Sequence, residues 1–156
     1  MTSDRERIET ALRASVHTAD AYLTEIASHL IVAGGKRLRP VLAVAAAQVG
    51  TDTPVAIEVI QGAISCELVH LGSLYHDDVM DESTTRRGVE TVNAKWGNLQ
   101  AIVAGDFLLA HASEIAASVG NEVSGLLART IGRLCEGQVE ELRHTYDRGR
   151  TVPSYL

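Results

Sequence analysis

Apolar residues recur every three or four positions along most of this chain, a spacing typical of helices with one buried face. Glycines interrupt the pattern at 34–35, at 50 and at 120, and no segment shows the alternation typical of strands. We therefore predict an all-α fold, a helical bundle of about five helices at roughly 8–30, 38–50, 54–75, 92–117 and 123–146. The fourth should lie centrally, and the fifth should turn six residues inward: Leu126, Leu127, Ile131, Leu134, Val139 and Leu142.

Length and charge restrict the class of protein. The 156 residues suit a single all-helical domain spanning 1–156. A net charge of −6 argues against nucleic acid as a partner, since no basic surplus could neutralise a phosphate backbone. Cys66 and Cys135 lie in helical patterns, as expected of reduced thiols in a cytoplasmic protein. No transmembrane segment is expected, because Asp106 interrupts the longest apolar run, near Ala101–Ala112.

The segment SLYHDDVMDESTTRRG, residues 73–88, places four acidic side chains at the end of an apolar helix. Asp77 and Asp81 are four positions apart, so their carboxylates share one helix face. Asp78 lies about a third of a turn away and can still reach a ligand held there. Oxygen ligands without cysteine or a histidine pair indicate a hard cation, and Mg²⁺ fits best because it shares its coordination with substrate phosphates.

Two arginines, Arg86 and Arg87, follow these carboxylates after a short polar turn. A metal held by carboxylates, with guanidinium groups beside it, is an arrangement that can bind a diphosphate. The same charges could instead form a solvated helix end in which aspartate and arginine pair with each other. Mutual pairing is the commoner arrangement for charge clusters in general, but it is less favoured here, because these acidic residues interrupt an apolar helix at a point where burial is expected.

A second basic cluster lies upstream in GGKRLRP, residues 34–40. Lys36, Arg37 and Arg39 precede a helix that begins near a proline, so cations and free backbone N–H groups could converge on an anion. His70 lies seven positions before Asp77, on the same helix face, and could donate to a phosphate oxygen. From spacing alone, His70 could equally be a hydrogen-bonded core residue.

Three ordered motifs resemble the trans-isoprenyl diphosphate synthases, or polyprenyl synthetases. ELVHLGSLYHDDVMDESTTRRG is similar to their first aspartate-rich motif followed by RRG, GGKRLRP resembles their basic motif, and GDFLLAHA a later helix. The resemblance implies the N-terminal half of the isoprenoid synthase fold. It also implies a homodimer and Mg²⁺-dependent condensation of isopentenyl diphosphate with an allylic prenyl diphosphate.

The resemblance also implies a role for each matching residue. Asp77 and Asp81 would bind Mg²⁺ at the allylic diphosphate, with Asp78 supporting them, and Arg86 would contact that diphosphate. Isopentenyl diphosphate would be held by four residues: Lys36, Arg39, His70 and Arg87. Gly72 and Ser73 lie one turn before the aspartates, where bulky residues in this family shorten the product. Small residues here predict a long-chain polyprenyl diphosphate.

The family's full chain is about twice as long and carries a second aspartate-rich motif, which residues 89–156 lack. We therefore expect an N-terminal portion of the enzyme that is inactive alone. One alternative is a non-catalytic partner subunit or dimerisation fragment, although such a subunit would not need the aspartates and arginines together. Another is a metal phosphohydrolase using His76 and Asp77, but the other histidines show no suitable pairing.

Overall fold

The computed structural model describes residues 2–50 and 53–155, and within these ranges the chain forms eight helices and one short hairpin. The helices are α1 (Thr2–Ser15), α2 (Ala21–Val32), α3 (Leu38–Ala47), α4 (Ile57–Met80), α5 (Val92–Trp96), α6 (Asn98–Val119), α7 (Asn121–Arg143) and α8 (Val152–Tyr155). Strands β1 (Thr85–Arg86) and β2 (Val89–Glu90) pair antiparallel between α4 and α5. The helical class is confirmed, but the expected count of five helices is wrong.

The predicted first helix is in fact two helices, separated by a turn at residues 16–20. Asp20 is the N-cap of α2, and its carboxylate accepts hydrogen bonds from the backbone N–H of Tyr22 at 2.8 Å and of Leu23 at 3.2 Å. Aspartate in this position stabilises a helix start. Val16 stays buried within the turn, so the apolar spacing continues across the break and conceals it.

The predicted fourth helix is also divided, at Gly97. This residue has a φ of 97°, a left-handed conformation that glycine adopts without strain, and it separates the short α5 from α6. Helices α4 and α6 then pack along each other. The expected central position is wrong for the other face of α6, where Leu99 and Val103 are exposed. The two helices approach closely at Gly72, where an added Cβ would lie 3.0 Å from the Gly105 carbonyl oxygen.

Tyr75 connects α4 to α2. Its side chain is fully buried, and its hydroxyl group donates to the Ile26 carbonyl oxygen at 2.8 Å. The backbone N–H of Leu30 donates to the same hydroxyl at 3.4 Å. Burial raises the pKa of Tyr75 far above its ordinary value. The hydroxyl therefore stays protonated and links this side chain of α4 to the backbone of α2.

Helix α7 differs most from its predicted packing. Leu127 is buried and Ile131 is partly buried, as expected. The other four predicted core residues are more than half exposed, so that prediction is wrong: Leu126, Leu134, Val139 and Leu142. The reason is that α7 packs mainly on α6 and touches α4 little, and no other described element covers its remaining apolar side.

Helix α6 is long and apolar enough to cross a membrane by length and composition alone. It includes Asp106, which we expected to interrupt the apolar run. In this fold it packs against other helices, with Ala104, Leu108 and Ala112 fully buried. The core helix of a soluble protein passes the same test, so α6 is only weak support for a membrane span.

Candidate functional site

The acidic cluster lies where α4 ends. Asp77 and Asp78 belong to the last turn of the helix, and Asp81 is the C-cap, with its N–H donating to the Asp77 carbonyl oxygen at 2.8 Å. Asp78 is buried, Asp77 is half-buried and Asp81 is exposed. The four-residue spacing of Asp77 and Asp81 is thus held in helical geometry up to the cap, which keeps both on one side of the helix.

Asp78 has a basic partner already. The Nε of Arg86 donates to Asp78 Oδ1 at 2.7 Å. For these two residues, the alternative that aspartate and arginine pair with each other is therefore correct. Burial raises the pKa of Asp78, and the bond from Arg86 opposes that shift. The other oxygen, Asp78 Oδ2, is buried without a hydrogen-bond partner among the described residues. An orphaned carboxylate oxygen of this kind can accept a further donor or a cation.

The environment of Asp77 disfavours its negative charge, although the nearby Arg86 partly offsets this. Burial raises the pKa of Asp77, and the neighbouring charge of Asp81 raises it further. The described residues contain no cluster of three or more side chains that could hold a metal by themselves. Mg²⁺ needs no such cluster, because it binds through one or two carboxylates and takes its other ligands from water and phosphate. The oxygen-only donor set therefore fits Mg²⁺.

The hairpin that follows was not predicted. Arg87 and Gly88 form its two-residue turn with φ values of 54° and 78°, the paired left-handed conformation favoured in tight hairpins. The signal was present as an Arg-Gly turn between the β-branched pairs of TTRRGVETV. The hairpin returns Arg86 to α4 and directs Arg87 to the end of α2 and the loop that follows it. There its Nη1 donates to the carbonyl oxygen of Leu30, in α2, and to that of Gly34, in the loop.

A basic cavity of about 310 Å³ lies beside this loop. Its lining includes the four residues that the resemblance assigned to isopentenyl diphosphate: Lys36, Arg39, His70 and Arg87. They come from the loop before α3, from α3, from α4 and from the hairpin, so the fold brings together residues that are far apart in sequence. Arg86 lies apart from them, at the end of α4.

Arg37 lines the basic cavity together with Lys36 and Arg39, but its side chain is buried and already paired, which we did not predict. Its guanidinium group contacts Glu9 at 2.7 Å, Glu67 at 3.4 Å and the Ile31 carbonyl oxygen at 3.0 Å. With a φ of 51°, the backbone of Arg37 turns the side chain inward while Lys36 and Arg39 stay exposed. Sequence reasoning missed Glu67, although a buried carboxylate in an apolar helix is itself a signal.

His70 faces several positive charges. Burial lowers its pKa from an ordinary value of 6.5 to about 4, and the nearby Arg39, Arg87 and Arg86 add to that effect. At neutral pH the imidazole is therefore uncharged and can donate one hydrogen bond to an anion. The positive charge of the cavity comes from its lysine and arginine side chains.

This lowered pKa predicts a pH dependence of stability. Between pH 6.5 and about 4 the unfolded chain binds more protons at His70 than the folded chain, so the free energy of unfolding should fall as the pH drops through that window. His70→Gln should reduce the slope. Urea unfolding at several pH values, in buffers without phosphate, measures it, and equal slopes for both proteins would contradict the assignment.

Two further cavities continue along α4. One of about 370 Å³ shares Arg39 and His70 with the basic cavity, and one of about 190 Å³ reaches Asp77. Both are lined by Ser73 and by Leu134 of α7. Shared lining residues make the three cavities neighbours in a row that leads from the basic cavity to Asp77.

Of the two residues expected to control product length, only Ser73 lines these cavities. Gly72 instead faces α6, where an added Cβ would meet the Gly105 carbonyl oxygen and the Leu109 side chain at 3.0–3.2 Å. A large residue at 72 would therefore push the helices apart. His76, which we did not expect to bind metal, contacts the Ile102 carbonyl oxygen at 3.1 Å and Asp106 at 3.4 Å.

Comparison with known proteins gives a consistent result. The sequence matches the polyprenyl synthetase family over residues 20–156. It is 42% identical to the nonaprenyl diphosphate synthase of Mycobacterium tuberculosis, covering 96% of this chain and 44% of the relative. It is 37% identical to heptaprenyl diphosphate synthase component 2 of Geobacillus stearothermophilus, covering 100% and 48%.

A solved structure is similar as well. The polyprenyl synthase of Caulobacter crescentus, complexed with calcium and isoprenyl diphosphate, superposes with a TM-score of 0.91 at 33% identity, covering 99% of this chain and 47% of that one. This agreement confirms the predicted isoprenoid synthase fold for the described helices. The chain spans about half the length of the curated relatives it matches.

Proposed function

Because the chain belongs to the polyprenyl synthetase family, we propose that it forms the first half of the active site of a trans-polyprenyl diphosphate synthase. The substrates would be isopentenyl diphosphate and an allylic prenyl diphosphate, and the product a long-chain prenyl diphosphate. The observation that carries this proposal is the basic cavity, in which Lys36, Arg39, His70 and Arg87 meet at one end of a row of cavities leading to Asp77.

The side chains would divide the work by charge. Lys36, Arg39 and Arg87 would bind the diphosphate of isopentenyl diphosphate, and neutral His70 would add a hydrogen bond. Asp77 and Asp81 would hold Mg²⁺, while Arg86 would contact the allylic diphosphate and leave Asp78 in support. When bound, Mg²⁺ supplies positive charge that stabilises the departing diphosphate. Apolar residues such as Leu134 and Val69, which line two of the cavities, would help to keep water from the allylic carbon.

Binding of inorganic diphosphate to this chain tests the proposal directly. Isothermal titration calorimetry should show binding that strengthens when Mg²⁺ is added. A protein that binds no diphosphate with or without Mg²⁺ would refute the proposal. Hydrolysis of phosphate esters stimulated by transition metals would instead favour the phosphohydrolase, which the single His76 beside Asp77 supports poorly.

Ser73 gives a prediction about the apolar chain of the substrate. Ser73→Phe should fill the cavities that it lines and weaken binding of geranylgeranyl diphosphate about tenfold, because overpacking typically costs about 1–3 kcal/mol. Binding of inorganic diphosphate should stay unchanged. Calorimetry with both ligands gives the comparison, and Ser113→Phe, at an exposed serine of α6, is the matched control. An equal loss of affinity for both ligands would contradict binding of the apolar chain in the cavities at Ser73.

We also propose that this chain is an incomplete catalytic unit within a single domain. It spans about half of its relatives, and the exposed apolar residues of α7, Leu134 and Leu142 among them, would suit contact with further polypeptide. We expect no condensation of labelled isopentenyl diphosphate by this polypeptide alone, and measurable product would overturn that expectation.

Homodimerisation in the cytoplasm is likewise proposed from the resemblance.

A specific alternative is a non-catalytic partner subunit or dimerisation fragment of a prenyl synthase. It draws support from the relative named heptaprenyl diphosphate synthase component 2, whose name indicates a multi-component enzyme. A purely structural subunit would not need the basic cavity and the carboxylates. Mg²⁺-dependent binding of diphosphate therefore separates a catalytic half from a scaffold.

A further inference from the structure

The hairpin formed by β1 and β2 connects two parts of the site. Arg86, in β1, reaches Asp78 at the end of α4, at 2.7 Å. Arg87, in the turn, reaches the carbonyl oxygens of Leu30 and Gly34 beside the basic cavity. Adjacent residues thus point to different sites, so the orientation of one small element determines where both guanidinium groups lie.

A hairpin with strands of two residues cannot fix its own orientation. Isolated two-stranded hairpins are marginally stable in water, so contacts with the rest of the protein must hold this one in place. At its base, Thr91 Oγ1 and Asn93 Nδ2 donate to the Ser83 carbonyl oxygen at 2.7 and 3.0 Å. These bonds hold the base and leave the tilt of the strands to other contacts.

The contact that can set this tilt comes from α2. The Nε2 of His29 lies 2.7 Å from the Glu90 carbonyl oxygen, and because a carbonyl only accepts, the imidazole donates. The ring of Trp96 packs edge-on against His29, with the ring centres 5.0 Å apart. Lys95 lies over Trp96 at 4.1 Å and approaches Glu25 of α2 at 3.8 Å. The ring of His29 is therefore held by Trp96, and Lys95 ties Trp96 back to α2.

The same turn of α2 holds the hairpin twice. His29 binds β2 through Glu90, and the next residue, Leu30, accepts a hydrogen bond from Arg87. We propose that His29 is a positioning residue, which sets the tilt of the hairpin and so the placement of Arg86 and Arg87 for anion binding. This inference rests on the proposed diphosphate-binding function.

Two amide variants separate a positioning role from a general effect on folding. His29→Gln can place its amide nitrogen near the position of Nε2 and should keep wild-type affinity for inorganic diphosphate in the presence of Mg²⁺. His29→Asn carries the same amide on a shorter side chain, and should bind about five- to tenfold more weakly because one hydrogen bond is lost. His17→Ala, at an exposed histidine outside this region, is the control and should bind like the wild type.

Trp96 supplies an independent signal, because it is the chain's single tryptophan and contacts His29. Adding diphosphate should shift the fluorescence of Trp96 in the wild type and in His29→Gln. The midpoint of this titration should equal the one that calorimetry gives. In His29→Asn, diphosphate should not shift the fluorescence.

The results separate the two proposals. Two results together would overturn the role of His29 while leaving the proposed function intact. They are equal diphosphate affinity in His29→Asn and His29→Gln, and the same shift of Trp96 fluorescence in both variants when diphosphate is added. Absence of any diphosphate binding by the wild type would remove both proposals. Circular dichroism checks that each variant is folded, and unfolding of both amide variants alike would show that His29 supports the fold in general, against a positioning role.

Discussion

Replacing Arg37 by alanine should destabilise the protein by about 3–5 kcal/mol, the usual cost of removing one partner from a buried ion pair. The Arg37 side chain is 1% exposed, and its partner Glu67 is 3% exposed. Without the guanidinium group, Glu67 would remain buried as an uncompensated charge and the Ile31 carbonyl oxygen would lose a donor. Urea unfolding followed by circular dichroism measures the change.

Arg39→Ala is the matched control, because Arg39 lies two residues further along and is exposed. Its stability should change by at most about 0.5 kcal/mol. Adding Glu67→Gln to Arg37→Ala should recover part of the loss, since the neutral side chain removes the stranded charge. A loss in Arg37→Ala no larger than that in Arg39→Ala would contradict a structural role for Arg37.

These arginines show where sequence reasoning stops. Arg37 and Arg39 are of the same type, stand in one motif and both line the basic cavity, yet Arg37 is buried and held in ion pairs while Arg39 is exposed. The difference comes from the positive φ of Arg37 and from Glu9, which lies 28 positions away in sequence. Local patterns predict which charges occur together, but a distant partner decides which of them is free to bind a ligand.

The same distinction explains the rest of the site. The four-residue spacing of Asp77 and Asp81 is a local helical property, and the structure keeps it in helical geometry. The hairpin and the contact of Arg87 with Gly34 depend on residues 53 positions apart, which periodicity does not detect. On α7 the spacing identified an apolar face, while the exposure of Leu134 depends on which elements cover that face.

Removing two carboxylates should abolish the effect of Mg²⁺ on diphosphate binding. In Asp77→Asn combined with Asp81→Asn, we expect the affinity for diphosphate in the presence of Mg²⁺ to fall more than about 100-fold. Mutating residues that only support the metal ligands typically weakens metal binding about 10–100-fold, and here the ligands themselves are replaced. Affinity without Mg²⁺ should stay equal or rise, since the variant has two fewer negative charges near the anion. Calorimetry with and without Mg²⁺ measures both.

The opposite signs of these changes make the test specific. General damage to the fold would weaken binding under both conditions, whereas loss of a metal site weakens it only when Mg²⁺ is present. Glu114→Gln combined with Glu122→Gln removes the same two charges from exposed positions on α6 and α7, and should retain the Mg²⁺ effect. If the aspartate variant responds to Mg²⁺ as this control does, the carboxylates at the end of α4 do not hold the metal. The raised pKa of Asp77 would then reflect only its burial and the repulsion from Asp81.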